Sequence, residues 1–448
     1  MTQAKKTTTV SATDTTGENP MSAMRKAVLA MGLLLLAGRA PAQPAPAASA
    51  SEPPVTPAIA GWDAFVERLR QLGPKMLDRL PPELRSDPQV QQEVGRLMLE
   101  SLSVGSLAAI SGDPDRPVFL PALNQTINVS QPNADTVYKR ATITPGGTYR
   151  LRGRIGNIRM ARVGQMSVNP AKPGSEVHGY LDLKTLPRDK SGRFDVVLSP
   201  ARPAGWRGSW YQLDPRASTL VVRFVASDWE HERDPTLAIE RLDAPATRPR
   251  VPDAVLEQRL RRLPDAVDAT ALMFIDHVSK LFAEGYVNRL KVFDVSQIGG
   301  QLTGQFYYEG GYDLADDEAL VVEAKVPAKC LYYSMILTNP IYETTDWVNN
   351  QSSLNDSQLH VDPDGVLRVV ISARDPGVAN WLDTAGYAKG VVQGRWTECS
   401  AQPVPSARKV KLSDLATVLP AATPRVTAAE RERILRDRRA AFQQRTLW

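Results

Sequence analysis

The stretch between the two cysteines, Cys330 and Cys399, constrains the fold most. It holds three strand-like runs, and nothing between them is long and periodic enough for a crossover helix, so antiparallel pairing is expected. Residues 331 to 337 alternate Leu331, Tyr333, Met335 and Leu337 against Tyr332, Ser334 and Ile336. Asp362-Pro363-Asp364-Gly365 is a turn by composition, because proline fixes one backbone angle and glycine supplies the other sign. Residues 366 to 371 then place Leu367, Val369 and Ile371 on one face and Arg368 on the other. After the Asn380-Trp381 loop, Val391, Gln393 and Arg395 face opposite to Val392, Gly394 and Trp396.

Upstream, Phe65, Leu69, Leu72 and Met76 stand at helical spacing before Pro81-Pro82, and Val94, Leu97, Met98, Leu102 and Leu107 form a second stripe. Strand grammar runs from residue 117 to about 228, helix is expected over 235 to 242 and 253 to 290, and Pro264 is the expected break. Segregated blocks of this kind predict a β-rich α+β fold with antiparallel sandwich-like lobes and helical N-terminal and intervening segments. The expected domains are a helical segment at 58–113, a β-rich region at 114–230, helices at 231–295, a second β-rich region at 296–400, and a linker with a basic helix at 401–448. No internal sequence repeat marks the two β-rich regions as duplicates.

Residues 1 to 42 read as a leader. Arg25-Lys26 precedes an apolar run, and Ala40-Pro41-Ala42 offers the small residues of a cleavage site, with Met21 or Met24 as the expected start. The Pro/Ala-rich 43–57 stretch is a linker by composition. This predicts a Sec-exported, periplasmic or secreted protein that does not span a membrane once processed. Of the formal net charge of +5, the leader carries five Lys/Arg against two Asp/Glu, so the body has almost no basic excess and nucleic acid is not an expected partner. The Arg-rich tail is expected to be a solvated helix face. Two cysteines in an exported protein leave two alternatives, a Cys330–Cys399 disulfide or two unpaired core thiols.

The runs NPIYETTDWVNNQSSLN (339–355) and DPDGVLRVVISARDPGVANWLDTAGYAKGVVQGRW (362–396) resemble the bacterial family called domain of unknown function 1214. PNADTVYKRATITPGGTYRLRGRIGN (132–157) resembles the segment that precedes that domain, where an Asn-Pro-Asp-x-x-Tyr pattern is usual; here Pro132 and Asn133 stand in reversed order. The resemblance implies a β-sandwich or jelly-roll-like fold and no established chemistry.

There is no Gly-x-Ser-x-Gly elbow, Gly-rich phosphate loop or His-Glu-x-x-His. The four histidines lack zinc spacing, so the weak metal candidate is Asp228, Glu230 and His231, against which stands a solvated junction; no cofactor is evident. The polar-aromatic loops are richer. Trp347, Asn349, Asn350 and Gln351 lie in one, and Arg374, Asp375, Asn380, Trp381 and Asp383 in the next. Rings to stack on and amides to bond hydroxyls suit a polyhydroxylated, carbohydrate-like or aromatic ligand, joined by Asn133, Asp135 and Tyr138 if the lobes pack together. The structural alternative is that these residues cap turns, plug the sandwich and pair Arg374 with Asp375.

Three functions follow: a small-molecule binder using these end loops; a hydrolase or lyase with an acid/base pair drawn from Asp135, Asp375, Asp383 and Tyr138 or His360; and an interaction protein docking through the basic C-terminal helix. Homo-oligomerisation stays open.

Overall fold

The first helices form where apolar residues recur at a period near 3.6. Helix α1 (Trp62–Asp78) buries Phe65, Leu72 and Met76; after the short α2 (Pro82–Arg85), α3 (Pro88–Ser111) buries Val90, Val94 and Leu97. The Asp87 side chain caps α3 by accepting the Gln89 N–H, and Pro88 occupies a first-turn position whose missing N–H costs nothing. Helix α4 (Asp253–Leu272) returns to the same layer, where Leu263 and Val267 join the cluster of α1 and α3. At Gly105 the approach is so close that any Cβ would lie 2.8 Å from Leu263 Cδ1. Helix α4 runs through Pro264, where a break was expected, because that residue is buried in the helical layer. Helix α5 (His277–Ala283) follows a short turn, and the four-residue α6 (Leu415–Val418) comes near the end of the chain. This computed structural model describes residues 58 to 168, 174 to 295, 302 and 304 to 446; the expected leader and linker lie outside the described residues.

The remaining chain folds into two sandwich-like lobes. The first has a sheet ordered β1 (Leu120–Leu123), β2 (Thr136–Thr142), β8 (Thr219–Val225), β4 (Met160–Val168), β5 (Ser175–Asp182). Its facing sheet is ordered β7 (Ser209–Gln212), β6 (Arg193–Ser199), β3 (Tyr149–Arg154), β9 (Thr236–Arg241). The second has a sheet ordered β10 (Lys291–Phe293), β11 (Gln305–Asp313), β17 (Lys389–Thr397), β13 (Tyr332–Leu337), β14 (Ser353–Asn355). Its facing sheet is ordered β16 (Trp381–Asp383), β15 (Val366–Ser372), β12 (Glu318–Lys325), β18 (Ser406–Lys411). Adding nine to every strand number of the first lobe reproduces the second, including its one parallel pair, β6/β7 against β15/β16. The lobes are topological duplicates whose sequences no longer match, because period-two burial preserves a sandwich without preserving residue identity.

Alternation decides which side chains enter each core. Leu220, Val222 and Phe224 of β8 fill the first sandwich, and Val392 and Trp396 of β17 the second, so Arg223 and Arg395 point to the opposite faces.

Three expectations are corrected. Residues 235 to 242 form strand β9 rather than a helix, since Leu237 and Ile239 alternate onto the first core while β3 supplies the ladder. The strand over 366 to 371 does not join its neighbours' sheet, because the long loop before it carries the chain across to the facing layer. The Arg-rich tail is not a solvated face. Helix α7 (Ala428–Gln443) opens with a Thr427/Glu430 capping box, and Arg431, Arg438 and Arg445 recur every seven residues on one buried stripe running into the residues after it.

That stripe ties the lobes. Arg431 pairs with Asp375 at 2.9 Å and donates to Gln351 Oε1 at 2.7 Å, both in the second lobe. Arg438 donates to the Trp347 carbonyl at 2.6 Å and lies 4.4 Å over the Trp229 ring of the first. Burial lowers the Arg438 pKa to about 10. Arg445 pairs with Asp234 at 2.8 Å and donates to the Asp135 carbonyl at 2.7 Å.

Helix α3 docks on the second lobe through acids. Arg96 reaches Glu343 at 2.6 Å and lies 3.6 Å from Glu100, which accepts the Asn128 N–H; the Tyr387 hydroxyl donates to Glu93. Burial, reinforced by Glu343 and opposed by Arg96 and the Asn128 N–H, pushes Glu100 to about 8 from 4.5. Burial raises Glu343 as well. The folded state therefore holds a proton that the unfolded chain releases, and stability falls as pH rises from about 4.5 to about 8. Thermal melts across this window are expected to show a declining Tm that Glu100→Gln makes shallower; an unchanged slope in the variant would remove Glu100 as its source.

Candidate functional site

The loop residues selected from sequence are mostly spent on the fold. Trp381 is buried, donates Nε1 to the Ser372 carbonyl at 3.1 Å and is covered by Arg431 at 5.0 Å. Asn380 donates to the His360 and Arg368 carbonyls, and Gln351 to those of Ala379 and Trp381. Asp375 pairs with Arg431 and not with Arg374, which is exposed and 3.7 Å from Asp316. Asp383 accepts the Ala385 N–H, and burial raises its carboxyl. Trp347 is buried against Phe442, with ring centroids 6.2 Å apart, and Asn349 bonds Asp346 and Arg439. Asn350 is half-buried beside them. Asp228 caps its own turn through the Glu230 and His231 N–H groups, and its carboxylate lies 2.8 Å from His231 Nδ1. Among the described residues no group of three or more His, Cys, Asp or Glu could hold a metal ion.

The upstream motif meets the second lobe through two of its residues. Asp135, 1% exposed, accepts from Trp229 Nε1 at 2.9 Å, Asn355 Nδ2 at 2.7 Å and the Tyr332 hydroxyl at 2.6 Å, and Asn133 donates to the same hydroxyl at 2.9 Å. Burial raises the Asp135 carboxyl, and the bonds from Tyr332 and Asn355 offset part of that rise. Three donors on two oxygens make it an inter-lobe tie.

Tyr138 belongs to a different place, a cavity of about 260 Å³ lined by both five-stranded sheets. The duplicated topology sets its polar groups. Tyr138 of β2 stands opposite Arg223 of β8, and Tyr307 of β11 stands opposite Arg395 of β17, in corresponding strand pairs. Each guanidinium lies over its tyrosine, at 5.9 and 5.4 Å. Phe274 and Phe293 supply an aromatic wall, and no acidic side chain lines the cavity among the described residues.

Arg395 is 3% exposed, yet its one side-chain hydrogen bond among the described residues is to Gln393 Oε1 at 2.9 Å, its Nε has no partner, and no carboxylate lies within ion-pair distance. Arginine cannot shed its charge in a protein, and a buried charge ordinarily has a counter-ion. Gln131, also lining the cavity and buried, leaves its Nε2 without a partner. Three lining residues, Ser130, Gln131 and Tyr342, take left-handed backbone at φ 57°, 55° and 68°, a costly conformation for side-chain-bearing residues.

Behind the cavity runs a polar chain. Gln393 Nε2 donates to the Tyr342 hydroxyl at 2.8 Å, that hydroxyl donates to Glu309 at 3.3 Å, and both Glu309 oxygens lie 3.1 Å from His277 Nε2. Glu309 is fully buried, and burial holds the Tyr342 hydroxyl well above its ordinary pKa. Such a chain can fix the orientation of Gln393 and Arg395 and can pass a proton between the cavity and His277.

Sequence reasoning missed Arg223, Arg395, Tyr307, Tyr342, Glu309 and His277 as a group. The usable signal was a lone arginine in each of two apolar runs, TLVVRFV and GVVQGRW, where it is the one charged residue. No family model and no curated protein matches the chain. Among solved structures it is similar to an uncharacterised protein from Burkholderia cenocepacia, 28% identical with a TM-score of 0.71 over 79% of this chain and 97% of that one. The VPA0106 protein from Vibrio parahaemolyticus matches at 12% identity and a TM-score of 0.41, over 71% of this chain and 98% of that one. The chain thus shares its architecture with an uncharacterised bacterial protein. Cys330 and Cys399 form a disulfide, which points to an oxidising compartment.

Proposed function

We propose that this is an exported protein that binds a small organic anion with an aromatic or apolar body in the cavity between its duplicated sheets. The carrying observation is Arg395, a buried guanidinium that, among the described residues, pairs with no carboxylate and sits in a cavity lined by no acid. A carboxylate would supply the missing charge, Gln131 a further donor, and Phe274 and Phe293 the apolar contact. The leader and the disulfide support export, and the closing block supports grouping the chain with the domain of unknown function 1214 family.

A thermal-shift comparison of benzoate with its neutral isostere benzamide tests the reading. Benzoate at a hundred times its Kd is expected to stabilise the protein by about 2.7 kcal/mol, with benzamide giving a much smaller shift. Arg395→Met is expected to abolish the benzoate shift, with the unliganded melting curve checking that the variant is folded, because no ion pair among the described residues is broken. Equal shifts from acid and amide would overturn the reading, and so would an unchanged benzoate shift in the variant.

A further inference from the structure

A second cavity, of about 530 Å³, lies where α3, the loop after β13 and helix α7 meet. Its chemistry differs from that of the first. Asp346 lines it together with Arg96 and Arg439, so charges of both signs are present, and Glu100 adds a carboxyl that burial keeps protonated up to about pH 8. The cations already have partners: Arg96 is held by Glu343 and Arg439 by Asn349 Oδ1 at 2.8 Å. No counter-ion is missing.

What is missing is a set of neutral partners of both kinds. Trp347 Nε1, which can only donate, has no partner, and its residue is 2% exposed. Thr345 Oγ1, on a residue 3% exposed, can donate or accept and has none, and Gln125 Oε1, which can only accept, has none either. All three residues line the cavity, and the half-buried Asn350 amide adds a further donor and acceptor without a side-chain hydrogen bond among the described residues. A carboxylate or phosphate could satisfy only the donors and would meet the Asp346 carboxylate. A hydroxyl gives one bond and takes others, so several hydroxyls on one rigid body answer the whole set. The volume falls within the range of small-molecule sites, roughly 300–1,000 Å³.

We propose that this second cavity binds a neutral polyhydroxylated molecule, a monosaccharide or cyclitol, at a site separate from the anion cavity. Trp347 serves it through the N–H of its indole, since the ring itself is packed against Phe442. The proposal does not depend on the reading of the first cavity.

Isothermal titration of the full chain with D-glucose, myo-inositol and D-glucuronate tests it. Saturable binding is expected for glucose or inositol, with glucuronate weaker. Asn350→Ala, at a half-buried position, is expected to weaken binding about tenfold with an unchanged melting curve, the loss of one hydroxyl hydrogen bond. Thr345→Val is a second, nearly isosteric variant expected to act in the same direction, and the benzoate response should survive both. No saturable binding of either neutral polyol to the wild-type chain would overturn the proposal, as would glucuronate binding best or affinities untouched by both variants.

Discussion

Arg445→Met is expected to cost about 3–5 kcal/mol of unfolding free energy, the penalty for breaking a buried ion pair and stranding its partner. The pair is buried on both sides, with the Arg445 and Asp234 side chains each 3% exposed. Two more acceptors would lose a donor, the carbonyls of Asp135 and Phe224, and the Asp234 carboxylate would be left with Thr446. The effect should appear as lost cooperativity between the lobes as well as a lower midpoint in urea, because Arg431 grips the second lobe and Arg445 the first. Arg436→Met is the control. That arginine is exposed and paired with Glu432 one turn away, and its loss should change stability by no more than about 0.5 kcal/mol. Equal effects from the two variants would mean that α7 rests on the surface and ties nothing. Truncation after Leu419 should likewise unfold or separate the lobes rather than leave the body intact.

Loss of the Cys330–Cys399 disulfide is expected to cost about 4 kcal/mol, from the chain entropy released when a loop of 69 residues is opened. The cysteines sit at matching ends of paired strands, each two residues beyond the Tyr332–Thr397 pair, so the bond locks a register that the ladder already sets. The Cys330→Ser, Cys399→Ser double variant and reduced wild type should unfold at the same lower urea midpoint. A difference from oxidised wild type below about 1 kcal/mol would show that the ladder holds the register unaided.

Much of the architecture was legible because alternation is local. The strands at 332–337, 366–372 and 389–397 and the helices at 62–78 and 88–111 could be read from their own residues. Thr236–Arg241 could not, since a six-residue run with two inward apolar residues suits either period until β3 is alongside. The buried stripe of α7 was hidden for a different reason. Arginine at every seventh position looks like a wet face unless buried carbonyls and Asp234 are known to wait beneath it.

The candidate site was the least legible part. Its groups come from β2, β8, β11, β17, the turn before α5 and the loop after β13, brought together by a duplication that sequence comparison of the lobes does not reveal. Alternation puts Arg395 on the face of β17 opposite Val392 and Trp396, yet nothing local says which face is the core or that the other meets a second sheet instead of water. Conversely, the amides and rings at 347–351 and 380–381 look like ligand groups in sequence because the chemistry that grips a hydroxyl also grips a backbone carbonyl.

The most direct measurement is a crystal structure of the protein with 4-bromobenzoate, located by the anomalous signal of bromine. The expected result is one bound molecule between the two five-stranded sheets, its carboxylate within hydrogen-bond distance of the Arg395 guanidinium and its ring against Phe274 or Phe293. A cavity holding only water at saturating ligand, or bromine found only elsewhere, would contradict the assignment of this cavity as an organic-anion site.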